Sequence, residues 1–511
     1  MSEMFQQLDS FAENFVTFMA LLFTLVVAIG IAALIWIYIS DISQTRQTIR
    51  RNYPIIGRFR YFFEHLGEFF RQYFFALDRE ELPFNRAQRT WVYRAAKNID
   101  ATVAFGSTNP LNVPGDFLFL NSLFPPLPEE IIENYPVTFG ETFSLQPYST
   151  DSFFNISGMS YGALSGPAIQ ALSLGAANSG IWLNTGEGGS SPYHEKGACD
   201  LVFQMGTAKY GLRNKDGELC EEKLLGLRNK SSIKMIEIKI SQGAKPGKGG
   251  ILPGIKVDEI IASSRGITIG EDSISPGRHP EIENVEGLLN FINYVRDISG
   301  KPTGIKCVIG QSEWLDDMCH QILRKGLKYA PDFMTVDSGD GGSGAAPMSL
   351  IDHMGLPIKR SLPLVVDKLT EFNLRSRIKV IASGKLINPA DVAAALCLGA
   401  DSVNSARGFM FALGCIQALQ CNKNTCPTGI TTQDPNLQDG LDPFDKGARV
   451  GNYAQNLTKA VKMIAHACGV KHPRLLRRTH AQMITEKGIP ETLSKIYPDK
   501  SPLQSIQMAG T

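Results

Sequence analysis

The sequence shows little excess of charge and no regular arrangement of cysteines. Its 511 residues include 51 basic and 50 acidic side chains, for a net charge of +1. Nothing in this balance favours a polyanionic partner, so we expect no nucleic-acid binding. Nine cysteines scattered over a long chain are an odd number and a poor disulfide framework, which is typical of a reducing compartment.

One long uncharged segment stands near the N-terminus. Residues 15–39 contain no charged side chain and are mostly Phe, Leu, Ile, Val and Ala. A helix of this length is about 37 Å long, enough to cross a hydrocarbon core of about 30 Å. A cleaved signal peptide and a buried core helix are the alternatives, and the acidic residues before the segment argue against a signal peptide. We therefore predict a transmembrane helix over residues 15–39.

The charges on either side of this segment predict its orientation. Acidic residues precede it, and by the positive-inside rule the basic residues that follow it face the cytoplasm. The expected localisation is a single-pass membrane protein, in contact with lipid through its N-terminal helix, with the C-terminal domain in the cytoplasm. The basic residues are Arg46, Arg50, Arg51, Arg58 and Arg60.

The predicted lead-in, residues 40–150, combines an amphipathic helix with irregular, proline-punctuated chain. Over residues 56–75 large apolar residues recur at helical spacing, which places them on one face with Arg and Glu on the other. The sequence leaves two interpretations open: this face lies on a membrane surface, or it packs on the following domain. The apolar residues are Ile56, Phe59, Phe62, Phe63, Leu66, Phe69, Phe70, Tyr73 and Phe74.

From about residue 150, short apolar segments that end in glycine or polar residues alternate with helical ones. This alternation predicts an α/β fold with a parallel sheet. Eight such units predict a (β/α)8 TIM barrel over residues 150–470, with ligands at the C-terminal ends of the strands. A doubly wound sheet is the weaker alternative because no GxGxxG motif follows an early strand. Residues 471–511 are predicted as a C-terminal tail.

The predicted elements of this barrel are as follows. The strands are Phe154–Ser157, Ile181–Asn184, Val202–Met205, Met235–Ile240, Ile305–Ile309, Phe333–Val336, Ile378–Ala382 and Ser402–Asn404. The helices include Gly166–Asn178, Val285–Arg296, Trp314–Lys328 and Pro389–Leu398.

Three glycine-rich turns follow the last predicted strands, at Asp337–Pro347, Ile381–Gly384 and Asn404–Gly408. Backbone N–H groups in such turns can converge on an anion, and the turns after the last strands of a barrel commonly hold phosphate. The series predicts a cofactor that carries phosphate. A nucleoside triphosphate is not expected, because no Walker Lys-Ser/Thr pair follows.

Three cysteines crowd into one short loop, residues 415–426. They are Cys415, Cys421 and Cys426, and Pro427 follows the last of them. Three thiolates on one polar loop with a following proline favour an iron–sulfur cluster. Structural zinc usually takes four ligands in two close pairs, so zinc is a weaker interpretation, as are three buried free cysteines.

A glycine-rich segment with several lysines follows the strand that contains Lys239. It carries Gln242 and Lys245, and Arg265 lies twenty residues further on. Together these side chains would form a cationic pocket suited to a carboxylate substrate. Solvated surface lysines are an equally good interpretation of the same residues.

Four longer motifs resemble the synthase domain of glutamate synthases. They are Asn184-Thr-Gly-Glu-Gly-Gly189, Gln242-Gly-Ala-Lys-Pro-Gly-Lys-Gly-Gly-Ile-Leu-Pro-Gly254, Asp340-Gly-Gly-Ser-Gly-Ala345, and the cysteine loop continued through Pro427-Thr-Gly-Ile-Thr-Thr-Gln433. The resemblance covers residues 150–470 and implies a TIM barrel with FMN and a [3Fe–4S] cluster. In this family electrons reach FMN through the cluster, and hydride passes to 2-iminoglutarate formed from 2-oxoglutarate and ammonia.

The resemblance also implies roles for individual residues. Glu187 and Lys245 are expected to be catalytic, and Gln242, Arg265 and Asn284 to bind the substrate. The expected cluster ligands are Cys415, Cys421 and Cys426. The expected flavin contacts are Ser157, Met159, Ser160, Thr185, Lys306, Gly341, Gly342, Ser383, Gly384 and Ala406.

The sequence departs from the family pattern in several places. Asn284 stands where the family usually has serine, and one histidine, His279, stands where it has two. A glutaminase domain, a C-terminal β-helix and a nicotinamide site are not recognised. The expected partners are therefore free ammonia or a separate ammonia-supplying subunit, and a one-electron donor such as ferredoxin or a membrane redox protein.

Three functional hypotheses remain. The first is reductive amination of a 2-oxo acid by an oxidoreductase acting on CH–NH2 groups, with 2-oxoglutarate as the substrate. The second is an FMN enzyme resembling methylamine–glutamate N-methyltransferase, which acts on another small amine or oxo acid. The Asn284 change and the unrecognised glutaminase domain motivate it. The third is a flavoprotein subunit of a membrane electron-transfer system, motivated by the anchor and the cysteine loop.

Overall fold

The computed structural model describes residues 2–503. The chain divides into two units, the first ending at Ala87 and the second beginning at Gln88. The first unit contains α1 (Ser2–Ser43), α2 (Thr48–Asn52) and α3 (Gly57–Phe70), and a π-helical turn, Arg71–Phe75, continues α3. By length and composition the stretch Asp9–Ser43 of α1 could cross a membrane, and its most apolar part is entirely exposed. The side chains of Phe69 and Tyr73 lie outside the described residues.

A buried carboxylate ties the end of α1 to the start of α3. Asp41 is fully buried, and its Oδ1 lies 2.7 Å from a terminal nitrogen of Arg50 and 2.9 Å from one of Arg58. The backbone N–H of Ile55 donates to Oδ2 at 3.0 Å. Because a buried charge is stable only when it is paired and hydrogen-bonded, these contacts fix the direction in which the chain leaves α1.

The second unit is built on a closed barrel of eight parallel strands, which confirms the predicted fold. The order around the barrel is β4, β5, β6, β7, β10, β11, β12, β13, and β13 closes on β4. All eight predicted barrel strands are present. In chain order the strands are β1 (Phe117–Phe119), β2 (Val137–Phe139), β3 (Tyr148–Thr150), β4 (Phe154–Ile156), β5 (Leu183–Asn184), β6 (Leu201–Met205), β7 (Ile233–Lys239), β8 (Ile251–Leu252), β9 (Ser273–Ile274), β10 (Thr303–Val308), β11 (Phe333–Asp337), β12 (Lys379–Ser383), β13 (Ser402–Ser405), β14 (Ala481–Ile484) and β15 (Pro490–Thr492).

One helix of the second unit precedes the barrel strands in the chain, and the others lie between the strands or after them. The predicted helix over 314–328 ends earlier than expected, because Gly326 interrupts it and a short 3-10 turn, Leu327–Tyr329, follows. The helices are α4 (Arg86–Ala96), α5 (Gly166–Ser179), α6 (Pro192–Glu195), α7 (Glu221–Arg228), α8 (Glu259–Arg265), α9 (Val285–Ser299), α10 (Glu313–Lys325), α11 (Met348–Ile351), α12 (Ile358–Glu371), α13 (Pro389–Cys397), α14 (Arg407–Leu413), α15 (Pro435–Gln438), α16 (Pro443–Ala467) and α17 (Leu493–Ile496).

The lead-in and the tail are more ordered than the sequence suggested. β2 and β3 form an antiparallel hairpin, and β1 of the lead-in pairs with β14 of the tail, which in turn pairs with β15. The tail is therefore joined to the lead-in by a three-stranded sheet. Its last residues, 504–511, lie outside the described residues.

An aromatic cluster fills the N-terminal end of the barrel. Phe139, on the hairpin, lies with its ring centroid 5.9 Å from that of Trp182, which precedes β5, and 5.7 Å from that of Phe333, the first residue of β11. All three rings are fully buried, together with the nearby Tyr148. Because apolar side chains fill this end, the C-terminal end of the strands is the one left for a ligand.

A buried ion pair holds α9 against the start of β11. Nε of Arg296 lies 3.0 Å from Oδ2 of Asp332, and both side chains are fully buried. The same carboxylate oxygen accepts a hydrogen bond from the backbone N–H of Thr303 at 2.8 Å. Arg377 lies 2.9 Å from its other oxygen. Loss of this carboxylate would leave two guanidinium groups without their counter-charge.

We predict that Asp332→Ala lowers the free energy of unfolding by about 3–5 kcal/mol, because it leaves the buried Arg296 unpaired. Urea-induced unfolding followed by circular dichroism measures this change. The matched control is Asp297→Ala on the same helix as Arg296, since the side chain of Asp297 is 44% exposed where it pairs with Lys328. That control is expected to cost less than about 1 kcal/mol; equal losses for the two variants would contradict the prediction.

Candidate active site

A cavity of about 410 Å³ opens at the C-terminal end of the barrel strands. Residues in the C-terminal part of all eight strands, or just after it, line the cavity, as expected for a barrel of this type. The wall residues at these strand ends are Ser157, Gly186, Glu187, Gln204, Lys239, Lys306, Asp337, Ser383 and Ser405. The cavity therefore lies where the sequence placed the ligand site.

Most of the predicted site residues meet in this cavity. Those lining it are Ser157, Met159, Ser160, Glu187, Gln242, Lys245, Arg265, Lys306, Gly342, Ser383, Gly384, Ala406 and Cys421. The predicted residues that do not line it are Thr185, Asn284, Gly341, Cys415 and Cys426. Motifs separated by more than 200 residues are thus brought to one place by barrel closure.

Asn284 does not line the cavity, so its predicted role in substrate binding stays a prediction. It is exposed and caps α9, where its Oδ1 accepts a hydrogen bond from the backbone N–H of Gly287 at 2.9 Å. Asparagine is a favoured N-cap residue because its side-chain oxygen satisfies a free helix N–H group. Helix capping therefore accounts for an asparagine at residue 284.

The charged centre of the cavity is an ion pair between two strands. Oε2 of Glu187, after β5, lies 3.0 Å from Nζ of Lys239, the last residue of β7. Burial by itself raises the pKa of Glu187, but the positive charges of Lys239, Lys245 and Arg265 outweigh it and lower the pKa. Burial also lowers the pKa of Lys245. The cavity thus holds a carboxylate that stays ionised beside an ammonium group that releases its proton more readily than usual.

Arg265 is a buried cation whose charge is not matched by a carboxylate. It is 5% exposed, donates from Nη1 to Oγ of Ser273 at 2.9 Å, and stacks over the ring of Tyr210 at 5.1 Å. No salt bridge joins it to an acidic side chain within residues 2–503, and its Nε has no hydrogen-bond partner there. A buried guanidinium of this kind favours binding of an anionic ligand.

Lys306, on β10, is a second buried cation on the cavity wall. Its Nζ lies 3.6 Å from Oδ2 of Asp337, at the end of β11. Burial lowers the pKa of Lys306, but the negative charges of Asp337, Glu237 and Glu187 outweigh it, and the pKa is raised. Lys306 therefore stays protonated, and it can stabilise negative charge on a bound group.

Beneath the cavity, the carboxylate of Glu237 organises the barrel interior. It is buried on β7 and accepts hydrogen bonds from Asn184 Nδ2 at 2.8 Å, Gln204 Nε2 at 2.7 Å and Thr335 Oγ1 at 2.6 Å. This leaves Oδ1 of Asn184 to accept from the backbone N–H of Gly186 at 3.0 Å. Glu237 thereby fixes the turn that carries Glu187.

The far end of the cavity is lined by the three glycine-rich turns. Gly384 has a φ of +105°, and a Cβ atom there would lie 2.5 Å from Cβ of Ser338. At Gly342 a Cβ atom would lie 2.6 Å from Nε of Arg407. Only glycine fits at these points, so the backbone can approach a ligand closely. This end has the features of a phosphate site.

The cysteine loop reaches the cavity at Cys421. The buried Lys256 donates from Nζ to the carbonyl oxygens of Cys421 at 2.9 Å and Thr431 at 2.7 Å, which joins the lysine-rich segment to this loop. Within residues 2–503 the structure brings no three Cys, His, Asp or Glu side chains into an arrangement that holds a metal ion. In this arrangement of their loop the three thiols therefore do not form a metal-binding group.

Six residues shape the site without having been predicted from the sequence: Lys239, Gln204, Glu237, Asp337, Lys256 and Arg407. Four of them are strand residues whose inward direction follows from the alternation of side chains along a strand. Lys239 and Asp337 end their strands and could have been found from that position alone. Lys256 could not, because only the fold places it against a loop 165 residues away.

A family model, the conserved region of glutamate synthase, matches residues 133–471 of this chain and so spans the whole barrel. A glutamate synthase large subunit-like protein of Bacillus subtilis (strain 168) is 38% identical over 501 residues, which cover 91% of this chain and 95% of that protein. The archaeal glutamate synthase (NADPH) of Methanocaldococcus jannaschii is 35% identical over 330 residues, which cover 64% of this chain and 61% of that protein.

Solved structures of other enzymes are also similar to this chain. A crystal structure of mandelate oxidase with (S)-2-phenylpropionate matches with a TM-score of 0.44 and 14% identity, over 78% of this chain and 98% of that one.

His194 supports the cavity wall from behind and predicts a pH dependence of stability. Its Nδ1 accepts from the backbone N–H of Ser191 at 3.1 Å, and its Nε2 lies 3.3 Å from the carbonyl oxygen of Met159. The ring is therefore neutral, with its proton on Nε2. Burial lowers its pKa from the usual 6.5 to about 4. Protonation would place a hydrogen on Nδ1, which would then point at the backbone N–H of Ser191 and could no longer accept its hydrogen bond.

Because the folded pKa is depressed, the stabilisation by His194 is complete above pH 6.5 and is lost as the pH falls from 6.5 towards 4. We predict a loss of about 2 kcal/mol from this residue between pH 7 and pH 5. Urea unfolding at several pH values measures it, and His194→Gln is expected to flatten the dependence by that amount. The exposed His320 provides the control, since His320→Gln should leave the slope unchanged. If the free energy of unfolding depended on pH equally in the unchanged protein, in His194→Gln and in His320→Gln, His194 would not be the source of the dependence.

Proposed function

Because the chain belongs to the glutamate synthase family, we propose that it is an FMN-dependent oxidoreductase that forms glutamate from 2-oxoglutarate and ammonia. The observation that carries this proposal is the buried Arg265, which has no carboxylate partner in the described chain and faces the same cavity as the Glu187–Lys239 pair. An anionic substrate would supply the missing counter-charge.

The cavity fits FMN in its chemistry. The glycine-rich end formed by Gly342 and Gly384 provides close backbone approach for a phosphate, and the protonated Lys306 provides a positive charge for the flavin ring. Bound FMN would supply the hydride that reduces a carbon–nitrogen double bond. The other residues proposed to hold it are Ser157, Met159, Ser160, Thr185, Gly341, Ser383 and Ala406.

The cations of the lysine-rich segment and α8 bind and orient the substrate. A dicarboxylate such as 2-oxoglutarate presents two negative groups, and Arg265 and Lys245 offer two buried positive ones. Gln242 is held between Lys239 and Ser343, where its amide donates to Oγ of Ser343 at 3.2 Å. These contacts would fix the oxo acid with its oxo carbon toward the flavin side of the cavity, where Lys306 lies.

Proton transfer falls to Glu187 and Lys245. Condensation of ammonia with the oxo group releases water and forms 2-iminoglutarate, and addition of a hydride and a proton to the imine then gives glutamate. Glu187 accepts protons from the attacking nitrogen, because the cations around it keep its carboxylate ionised. Lys245 donates protons readily, because burial lowers its pKa. The Lys239 ammonium holds Glu187 in position.

Four further assignments belong to this proposal. Electrons enter from a one-electron donor such as ferredoxin or a membrane redox protein, and ammonia is free or comes from a separate subunit. α1 crosses the membrane once, with the barrel on the cytoplasmic side. Cys415, Cys421 and Cys426 hold a [3Fe–4S] cluster, which requires a rearrangement of their loop because the thiols are not grouped for metal binding in the described structure.

One of the two motivations for a methylamine–glutamate N-methyltransferase-like activity, the Asn284 change, is weakened, because Asn284 caps an exposed helix end and does not line the cavity. A purely electron-transferring role would not require the buried cations Arg265 and Lys245. We therefore favour the oxo acid as the substrate.

We predict that anaerobically reduced protein is reoxidised by 2-oxoglutarate with ammonium and that glutamate accumulates. Flavin absorbance and mass spectrometry measure the two outcomes. Arg265→Lys is expected to lower kcat/KM for the oxo acid by about 100-fold, because a lysine cannot make the paired contacts of a guanidinium. The control is Arg213→Lys, which is expected to lower kcat/KM much less. Arg213 stacks on the same Tyr210 ring at 5.0 Å but does not line the cavity.

Two outcomes would contradict the proposal. One is no reoxidation with 2-oxoglutarate and ammonium but rapid turnover of methylamine with glutamate. The other is an equal effect of the two arginine substitutions, which would place the damage in the shared Tyr210 packing instead of in substrate binding.

The cofactors give a separate prediction. Purified protein is expected to release FMN on denaturation and to show an EPR signal of an oxidised [3Fe–4S] cluster. Cys421→Ser is expected to abolish the EPR signal, whereas Cys220→Ser, at a half-buried cysteine outside the loop, should leave it unchanged. Protein with FMN but no EPR signal, and with three loop thiols that react with a thiol reagent, would refute the cluster and leave the FMN assignment intact.

A further inference from the structure

Helix α3 carries an exposed aromatic face next to the proposed membrane span. We propose that α3 and its π-helical continuation lie in the plane of the membrane surface, with this face in contact with lipid. The inference deepens the proposed single-pass anchoring and rests on α1 being a membrane helix. It decides between the two interpretations that the sequence left open for residues 56–75.

The aromatic face is exposed and consists of two groups of neighbouring rings. Phe59, Phe62 and Phe63 are 56%, 57% and 61% exposed, and Phe74 is 74% exposed. The rings contact one another: the centroids of Phe59 and Phe63 lie 6.4 Å apart, and those of Phe70 and Phe74 lie 5.2 Å apart. Such an area of apolar rings on one helix marks a contact with lipid or with another protein.

The opposite face of α3 is polar. Arg60 and Glu64 lie one turn apart, 3.9 Å from each other, and both are more than half exposed. Between α1 and the end of the π-helical turn, over residues 44–76, the chain has six arginines against two glutamates. A helix with phenylalanine on one side and arginine-rich surroundings matches an interfacial helix, and the positive charge complements anionic lipid headgroups.

The Asp41 contacts place α3 at the level where α1 would leave the membrane. Asp41 is two residues before the end of α1, and Arg58 is the second residue of α3. Their 2.9 Å ion pair holds the first turn of α3 against the last turn of α1. If α1 spans the bilayer, α3 therefore begins at the headgroup region and cannot move far from it.

Lipid is the occupant that these observations select. The aromatic face follows, after a short arginine-rich connection, an apolar helix whose side chains are also exposed, and it is bordered by arginines that suit phosphate headgroups. Pairing with a second copy of the chain would bury the rings equally well but would give the surplus of arginine no counter-charge.

Photolabelling of the full-length protein in vesicles tests the proposal. The vesicles contain phosphatidylcholine, phosphatidylglycerol and a trace of phospholipid with a diazirine on its acyl chain, and the labelled peptides are identified by mass spectrometry. We expect labelling of α1 and of the peptide over residues 59–75. Labelling of the second peptide should exceed that of the peptide containing Phe124 at least about fivefold, because Phe124 is 86% exposed but belongs to the other unit.

Substitutions on the two faces of α3 show which face contacts lipid. Phe62→Gln with Phe63→Gln is expected to halve the labelling of residues 59–75, while labelling of α1 and flavin absorbance stay unchanged. Glu64→Gln, on the polar face, is the matched control and should have no effect. Replacing phosphatidylglycerol by phosphatidylcholine should also lower labelling of this peptide, because the arginines lose their anionic partners.

The experiment distinguishes failure of this inference from failure of the proposed membrane anchor. Labelling of α1 without labelling of residues 59–75 would overturn this inference and leave the anchor in place. No labelling of either would overturn the membrane assignment as a whole. Cross-linking of α3 to α3 of a second copy, with no lipid label on the phenylalanines, would show that the face is a dimer contact and would also overturn it.

Discussion

The carboxylate of Glu237 is the interaction on which the barrel interior depends. It receives one hydrogen bond each from β5, β6 and β11 while lying on β7 itself, so it joins four of the eight strands. A buried carboxylate is costly to desolvate, and its position is stable only because three donors surround it. This network orients the Asn184 amide and, through it, the turn that presents Glu187 to the cavity. The apolar plug around Phe139 closes the other end, and the polar groups accordingly collect at the open one.

The cavity above this network carries more positive charge than its own acidic groups neutralise. Glu187 pairs with Lys239, and Asp337 lies near Lys306, but Lys245 and Arg265 have no carboxylate of their own in the described chain. Such an imbalance in a buried site is unfavourable unless a ligand completes it. A dicarboxylate and a phosphate-bearing cofactor together would do so, which connects the electrostatics of the site with its glycine-rich end.

The first unit is held together mainly by charge pairing. It is short and buries few apolar side chains, and its defining contact is the ion pair between Asp41 and the arginines of α2 and α3. The apolar area that a soluble domain would bury remains exposed on α1 and α3. Two exposed apolar surfaces joined by a buried ion pair form a coherent unit when lipid covers both.

The sequence alone determined the α/β barrel and its eight strands, because alternating apolar segments and glycine turns depend on local chain geometry. Most of the site residues predicted from the sequence line the cavity, because strand ends in a barrel converge and the long motifs follow those ends. Only the tertiary structure decided which charges meet. Lys239, Glu237 and Lys256 act through partners dozens to hundreds of residues away. It likewise placed Asn284 at a helix cap, and within residues 2–503 it did not arrange the thiols of the cysteine loop as a metal-binding group. Spacing along a chain does not report the distance between side chains on different loops.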